Sequence, residues 1–147
     1  MKVSIASDHA GLELKKDAKD VLRAMGHTGI DYGPKTAEPV DYPDYAAKVA
    51  ASVSTGETER GILICGTGIG MSMAANKFHT IRAALCFNTE MARLSREHND
   101  ANVLCLGART TPKEVCLDII KAFISTEASK EERHRRRAMK IGTCCTC

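Results

Sequence analysis

Aromatic residues and long apolar runs are both scarce in this chain of 147 residues. Aromatics make up 4% of the sequence, whereas nucleic acid is commonly bound by basic residues interleaved with aromatic ones. The net charge of +3 is too small to imply a polyanionic partner by itself. No apolar run approaches the ~20 residues that a membrane-spanning helix needs. The composition therefore predicts a protein that binds neither nucleic acid nor membrane.

The chain also lacks the features of secreted proteins. It opens directly on Lys2-Val3-Ser4-Ile5-Ala6, without the layout of a signal peptide. Its seven cysteines are not spaced like a disulfide framework. With 44% apolar and 27% charged residues, the composition is that of an ordinary soluble domain. These observations predict a cytoplasmic protein with a single domain, for which we expect the bounds 1–142.

The cysteines fall into two main groups. Three lie inside apolar runs and are interpreted as small buried hydrophobes: Cys86, Cys105 and Cys116. Three others crowd the last four positions: Cys144, Cys145 and Cys147. Their C-x-x-C spacing lacks both the strand-to-helix setting of a thioredoxin motif and a second ligand pair for zinc. We therefore expect a flexible, cysteine-rich tail over residues 143–147, and a thiol-redox function of this tail stays open as an alternative.

Predicted strands and helices alternate along the chain. The apolar pattern predicts strands at 3–6, 27–31, 62–65, 83–87 and 103–106. It predicts helices at 14–25, 43–54, 71–78 and 90–98, and two more that open on capping boxes at 111–114 and 129–132. This alternation favours an α/β fold, a three-layer αβα sandwich with a five-stranded parallel sheet and an extra C-terminal helix. In such sheets ligands bind beyond the carboxyl ends of the strands.

The most informative stretch joins the third predicted strand to the helix after it. The strand runs into Cys65, and glycines follow at alternate positions: Gly66, Gly68 and Gly70. Because glycines lack Cβ atoms, backbone N–H groups can turn toward a bound anion, and the helix start adds its positive dipole end. A thiol at this point would be favoured in its thiolate form. The segment therefore combines an oxyanion cradle with a candidate base, which is an active-site arrangement.

A nucleotide is not the predicted ligand of this glycine loop. Its spacing is G-x-G-x-G, whereas the dinucleotide fingerprint is G-x-G-x-x-G. The next strand ends at Cys86-Phe87-Asn88, without the acidic residue that would hold a ribose hydroxyl. No G-x-x-x-x-G-K-[ST] motif is present either. The loop is better suited to a smaller, oxygen-rich ligand.

Polar residues also follow two other predicted strands. Asp8 and His9 come after the first strand, and Arg109 comes after the fifth. Because the carboxyl ends of parallel strands share one edge of the sheet, we expect these residues on the same rim as Cys65.

Candidates away from the strand ends are one histidine and a basic helix. His98 has charged and polar neighbours, which favours exposure. Arg133 and Arg137 are four residues apart on the last predicted helix and share a face. A solvated charged face is the plain interpretation. The more specific one is a phosphate clamp, because guanidinium groups bind phosphate oxygens through two parallel hydrogen bonds, and Arg109 could be a third arm.

Several blocks, in order along nearly the whole chain, resemble the ribose-5-phosphate isomerase B family, within the wider group that includes galactose-6-phosphate isomerase. The first three blocks are Ser7-Asp8-His9-Ala10-Gly11, Asp41-Tyr42-Pro43-Asp44-Tyr45-Ala46 and residues 61–77. The last two are residues 95–104, and Arg133-His134 with Arg137 and Ile141.

The resemblance implies a Rossmann-like enzyme that interconverts ribose 5-phosphate and ribulose 5-phosphate in the pentose phosphate pathway, through a cis-enediolate and without a metal or organic cofactor. It implies a homodimer, which could pair into a tetramer, with active sites shared between subunits. The helix that bears His98 would then reach into the neighbour's pocket.

The resemblance also implies a role for individual residues. Cys65 matches the base that shuttles the proton, His98 matches the acid that opens the sugar ring, and Thr67 matches a further catalytic residue. The implied substrate contacts are Asp8, His9, Tyr42, Gly66, Thr67, Gly68, Ile69, Gly70 and Asn99. The implied phosphate contacts are His9, Arg109, Arg133 and Arg137.

Two alternatives to the ribose 5-phosphate reaction stay open. One is an isomerase of a six-carbon sugar phosphate, such as allose 6-phosphate or galactose 6-phosphate, and the other is a non-catalytic sugar-phosphate sensor. The sequence departs from the family pattern at Glu131-Glu132, where two glycines are common. Carboxylates there would hinder phosphate binding unless they point away. The cysteine-rich end is also outside the family pattern.

Overall fold

A five-stranded, all-parallel sheet forms the centre of the molecule. The computed structural model describes residues 1–143. The strands are β1 (Lys2–Ser7), β2 (Thr28–Asp31), β3 (Arg60–Cys65), β4 (Ala83–Leu85) and β5 (Val103–Gly107). They lie in the order β2-β1-β3-β5-β4, and each neighbouring pair is parallel. The predicted Rossmann-like parallel sheet is therefore confirmed.

Six α-helices surround this sheet in the described part of the chain. They are α1 (Leu12–Ala24), α2 (Tyr42–Ser54), α3 (Ile69–Ala75), α4 (Thr89–Asn99), α5 (Lys113–Ser125) and α6 (Glu132–Thr143). The apolar sides of α1, α4 and α5 cover one face of the sheet, and those of α2 and α3 cover the other. The extra helix α6 packs against α4. The predicted three layers and the predicted C-terminal helix are both present.

The alternation of side chains along β3 decides which layer each residue joins. Ile62 and Ile64 enter the core beneath α1 and α5, whereas Leu63 and Cys65 enter the core beneath α2 and α3. This is the two-residue period of a strand, in which successive side chains point to opposite faces. Cys65 therefore ends the strand with its side chain on the side of α2 and α3.

The predicted capping boxes do not form, because both helices begin later than the sequence pattern indicated. Pro112 is the residue before α5, so Thr111 lies one position too early to cap, and its buried hydroxyl has no hydrogen-bond partner among residues 1–143. Helix α6 begins at Glu132, and the hydroxyl of Ser129 accepts a hydrogen bond from the Glu131 N–H at 3.1 Å in a local turn. The fourth strand is also shorter than predicted, since β4 ends at Leu85.

Buried cysteines occur where apolar runs predicted them. Cys86, Cys105 and Cys116 are buried, and burial raises the pKa of each, to about 11 for Cys86 and Cys116. Thr143, the first residue of the predicted tail, instead ends α6. The tail cysteines Cys144, Cys145 and Cys147 lie outside the described residues, so a flexible tail there stays a prediction. Within residues 1–143, no helix has both the length and the apolarity to cross a bilayer. The cytoplasmic location also stays a prediction.

Candidate active site

Strand order brings three polar segments together at the carboxyl edge of the sheet, which we call the carboxyl rim. Strands β1, β3 and β5 are direct neighbours, so residues 8–9, 65–70 and 109 leave the sheet side by side. The Asp8 N–H donates to the Ile64 carbonyl at 3.0 Å, and the Arg109 N–H donates to the Gly66 carbonyl at 2.9 Å. These backbone bonds join the three segments. The predicted convergence of Asp8, His9, Cys65 and Arg109 on one rim is confirmed.

The thiol of Cys65 is held by the loop that follows it. The sulfur is nearly buried, with 5% of the residue exposed, and accepts a hydrogen bond from the Gly68 N–H at 3.1 Å. Gly68 has φ +78°, a left-handed conformation that favours glycine. A Cβ there would lie 2.5 Å from Leu85 Cδ1. Glycine at this position thus lets an amide point at the sulfur, where it stabilises negative charge.

Residues 66–69 continue the loop on the open side of the rim. A Cβ on Gly66 would lie 3.5 Å from Arg109 Cδ and 3.6 Å from Arg109 Nη1, so the end of the arginine side chain covers this glycine. Thr67 is exposed, and its hydroxyl accepts a hydrogen bond from the Ile69 N–H at 3.3 Å. Ile69 begins α3 with 49% of its surface exposed. Helix α3 therefore begins two residues before the predicted position 71.

Tyr42 covers the first turn of α3. A Cβ on Gly70 would lie 2.5 Å from Tyr42 Cζ and 2.7 Å from its hydroxyl oxygen, so a larger residue would displace the ring from this position. Tyr42 is the first residue of α2 and remains 39% exposed. Its hydroxyl group therefore lies over the end of the glycine loop, at Gly70.

A buried lysine anchors the segment that leads to Tyr42. Lys15 is 2% exposed, and its Nζ donates to Asp31 Oδ1 at 2.8 Å and to the Pro34 carbonyl at 2.6 Å. Burial raises the pKa of Asp31, but the hydrogen bonds from Lys15 and Lys19 outweigh this and leave the net pKa lowered. The ionised pair fixes the start of the loop after β2, from which the chain crosses to α2.

Asp8 and His9 form the opposite side of the rim. Asp8 Oδ1 accepts hydrogen bonds from the N–H groups of Ala10 and Gly11, at 2.8 and 3.1 Å, which fixes the turn after β1. His9 Nδ1 is buried and has no partner within residues 1–143. Buried polar atoms are nearly always hydrogen-bonded in native proteins. The ring of His9 therefore has a polar atom at the rim to offer to a ligand.

His98 and Asn99 lie at the other end of the sheet. They are the last two residues of α4, which runs from the carboxyl end of β4 back to the start of β5. Residues that follow them contact the start of β3. The Gly61 N–H, for example, donates to the Asn102 carbonyl at 2.9 Å. The length of β3, on the order of 20 Å at about 3.3 Å per residue, separates His98 from Cys65 in one chain. His98 is exposed, as the sequence predicted.

A second histidine supports His98 from behind. The rings of His98 and His134 stack with centroids 4.2 Å apart and planes 2° from parallel. Burial lowers the pKa of His134, and positive charge on His98, Arg133 and Arg137 lowers it further, against the carboxylate of Glu131. The two rings line one side of a cleft of about 390 Å³ between α4 and α6. Nothing in the sequence analysis assigned a role to His134, although its spacing from Ala138 marks the buried face of α6.

The arginines of the predicted phosphate clamp lie on the exposed side of α6. Arg133 and Arg137 are one helical turn apart and both exposed, as the spacing predicted. The Arg133 Nε–H donates to Glu131 Oε2 at 2.7 Å. Arg109 lies instead at the carboxyl rim with Cys65. The clamp residues are therefore divided between the two ends of the sheet, and so are the other predicted site residues.

Comparison with known proteins agrees with this architecture. The chain is 43% identical over 140 residues to ribose-5-phosphate isomerase B of Escherichia coli, covering 95% of this chain and 93% of the relative. It is 41% identical over 128 residues to D-erythrulose-4-phosphate isomerase of Pectobacterium atrosepticum, covering 86% of this chain and 84% of the relative.

Solved structures and a family model agree with these relatives. The structure of Clostridium thermocellum ribose-5-phosphate isomerase B matches with a TM-score of 0.94 and 50% identity, covering 97% of this chain and 96% of that one. The model of the ribose/galactose isomerase family matches residues 3–141. These matches are close, and they extend over the sheet, the glycine loop and both clusters of polar residues. This chain is therefore a member of the ribose/galactose isomerase family.

Proposed function

We propose that this protein interconverts ribose 5-phosphate and ribulose 5-phosphate, with Cys65 as the base. The observation that carries the proposal is the hydrogen bond from the Gly68 N–H to the Cys65 sulfur, at 3.1 Å, at the carboxyl rim of a sugar-phosphate isomerase fold. The relatives named ribose-5-phosphate isomerase B, from Escherichia coli and Clostridium thermocellum, support the choice of substrate.

The chemistry needs one group that removes and returns a proton. The Cys65 thiolate takes the proton from C2, and the electron pair of that bond forms the C1–C2 double bond of a cis-enediolate. The C1 carbonyl oxygen takes up the displaced electron pair and accepts the proton of the C2 hydroxyl, so the C2 oxygen becomes the ketone. The same thiol then returns its proton to C1. The N–H groups of Thr67 and Gly70 stabilise the oxyanion as it develops, because those of Gly68 and Ile69 already donate to the Cys65 sulfur and the Thr67 hydroxyl. Each well-placed donor of this kind contributes about 3–4 kcal/mol. Asp8 and Tyr42 flank the same loop and contact the sugar hydroxyls.

Sugar phosphates of this size rest mainly as closed rings, so an acid must open the ring before proton transfer. His98 protonates the ring oxygen in the proposed mechanism, and Asn99 contacts the substrate beside it. Arg109, Arg133, Arg137 and His9 bind the phosphate, and binding energy there holds C1 and C2 against the sulfur. The partnerless nitrogen of His9 supports its part in this binding.

The residues at the carboxyl rim and those on α4 and α6 can form one site only if a second copy of the chain takes part. Cys65 and His98 are at opposite ends of one sheet, so we propose a homodimer in which α4 and α6 of one subunit reach the carboxyl rim of the other. Exposed apolar residues beside that rim support a second copy as the partner: Ile69 and Met73 on α3, Phe87 after β4 and Met91 on α4. Exposed apolar side chains that lie together are typical of a protein interface. Pairing of dimers into a tetramer stays a prediction.

A set of parallel assays with the full-length chain tests the substrate. Purified protein is incubated with ribose 5-phosphate, allose 6-phosphate, galactose 6-phosphate and erythrulose 4-phosphate, and the opposite sugar form is measured without added metal. We expect the highest kcat/KM for ribose 5-phosphate. Preference for a six-carbon sugar, or for erythrulose 4-phosphate as the name of the Pectobacterium relative suggests, would replace the proposed substrate. Binding without turnover of any of them would favour the sensor.

A further inference from the structure

Glu131 pairs with Arg133, an arginine that the proposed function assigns to the substrate phosphate. Its Oε2 accepts a hydrogen bond from the Arg133 Nε–H at 2.7 Å and lies 3.8 Å from His134 Nε2. The adjacent Glu132 behaves differently, because its carboxylate pairs with Arg136 at 3.3 Å. Two neighbouring carboxylates on one helix start are therefore directed to different arginines, and only one of them engages the predicted clamp.

A carboxylate and a phosphate compete for the same donors. Both present negatively charged oxygen atoms that can accept from the forked N–H groups of a guanidinium, so both bind arginine through charge-assisted hydrogen bonds. A phosphate that arrives at Arg133 meets a donor already engaged and a negative charge that repels it. The contact is exposed on both sides, with 61% of the Arg133 side chain and 59% of the Glu131 side chain accessible. It can therefore be broken by a ligand without disturbing the core.

The geometry points to Glu131 as an internal competitor of the substrate, a carboxylate that holds the Nε–H of Arg133 against the phosphate group and thereby lowers the affinity for sugar phosphates. This inference rests on the proposed function, since it takes Arg133 as a phosphate ligand. Glu131 acts on the substrate only through Arg133 and takes no part in the chemical step. Its effect is therefore expected in KM, with kcat nearly constant, because it weakens binding of the substrate and of the transition state alike.

Substitution by the neutral isostere tests the competition, and the chain supplies a matched control. Glu131→Gln should lower KM for ribose 5-phosphate, and the inhibition constant of inorganic phosphate, about two- to fivefold, which is the range expected from removing an exposed ion pair. Glu132→Gln removes the same charge one residue away and should leave both constants unchanged. In a background of Arg133→Ala, Glu131→Gln should have no further effect, because the arginine for which the carboxylate and the phosphate compete is gone.

Several outcomes would overturn the inference. A higher KM in Glu131→Gln would show that the carboxylate orients Arg133 for the substrate, and an unchanged KM would show that the contact is irrelevant to binding. Equal effects of Glu131→Gln and Glu132→Gln on KM would show that only the net charge of this region matters, and not the contact with Arg133.

The failure of the proposed function can be told apart from the failure of this inference. Binding of inorganic phosphate to the full chain, measured by calorimetry, requires no turnover. If ribose 5-phosphate is not isomerised but Glu131→Gln still binds phosphate more tightly than the wild-type chain, the substrate is wrong and the competition stands. If the variant and the wild-type chain bind phosphate equally, the competition is wrong whatever the substrate.

Discussion

The imidazole rings of His98 and His134 lie face to face, 4.2 Å apart and within 2° of parallel. His134 is 8% exposed on the inner side of α6, while His98 is exposed at the end of α4. The inner ring therefore gives the outer one a flat surface to rest on, and the stack joins the helix that carries the proposed ring-opening acid to the helix that carries Arg133 and Arg137. This contact relates two functional groups that are far apart in the sequence.

Removal of the inner ring should impair catalysis through His98. We expect His134→Ala to lower kcat/KM for ribose 5-phosphate about two- to tenfold, the range that corresponds to the loss of one aromatic pair. His134→Phe keeps a flat ring and should retain most of the activity. Steady-state kinetics on both variants measures the effect. Equal activity of His134→Ala and the wild-type chain would mean that the stack does not position His98.

The same residue predicts a pH dependence of stability. The pKa of His134 is lowered below 6.5 in the folded protein, chiefly by burial, so the unfolded chain binds more protons between that lowered value and 6.5. The contribution of neutral His134 to stability is therefore complete above pH 6.5 and is lost as the pH falls through this window. Urea unfolding from pH 8 to pH 5 should show a smaller acid-side loss in His134→Phe than in the wild-type chain. Parallel curves for the two proteins would contradict the prediction.

Loss of the sulfur should abolish turnover and spare binding. Cys65→Ala removes the proposed base, for which we expect a fall in kcat of about 10²–10⁴-fold, the range for general acid–base catalysis. Sugar-phosphate binding, measured by calorimetry, should change little because the phosphate ligands remain. Cys116→Ala is the control, since that thiol is buried in α5 on the other side of the sheet. Normal turnover in Cys65→Ala would remove the thiol from the mechanism.

Shared active sites predict complementation between two inactive variants. If Cys65 and His98 of one site come from different subunits, a heterodimer of Cys65→Ala with His98→Asn contains one intact site and one doubly defective site. Unfolding and refolding an equal mixture should then restore about a quarter of wild-type activity, because half of the dimers are mixed and each has one working site. Failure of a confirmed mixed dimer to regain activity would contradict the shared site.

Two glycines of the same loop should respond differently to substitution. Gly68→Ala forces a side chain into a left-handed conformation and within 2.9 Å of the Leu106 backbone, so we expect a loss of about 1–3 kcal/mol in the free energy of unfolding. Gly70→Ala instead meets the exposed ring of Tyr42, which can move away. We expect its cost in kcat/KM rather than in stability. Urea unfolding and kinetics on both variants separate the two effects.

Local patterns in the sequence were sufficient to predict the fold and the residues of the carboxyl rim. The alternation of strands and helices predicted a parallel sheet, and the polar residues after three strands predicted that Asp8, Cys65 and Arg109 share a rim. Both predictions succeed because they depend on side-chain period and on the direction of parallel strands, which are properties of short segments. The prediction of the two capping boxes was wrong because it also depended on where each helix begins. A helix start can shift by one or more residues when packing and a proline select a different first turn, as at Pro112.

The positions of His98 and His134 were decided by tertiary structure alone. That α4 ends at the edge of the sheet opposite Cys65 follows from the path of the chain and from the strand order β2-β1-β3-β5-β4. The stacking of His98 on His134 follows from the packing of α6 against α4. Such contacts join elements that are distant along the chain, so they depend on how whole helices pack rather than on any pattern within one helix.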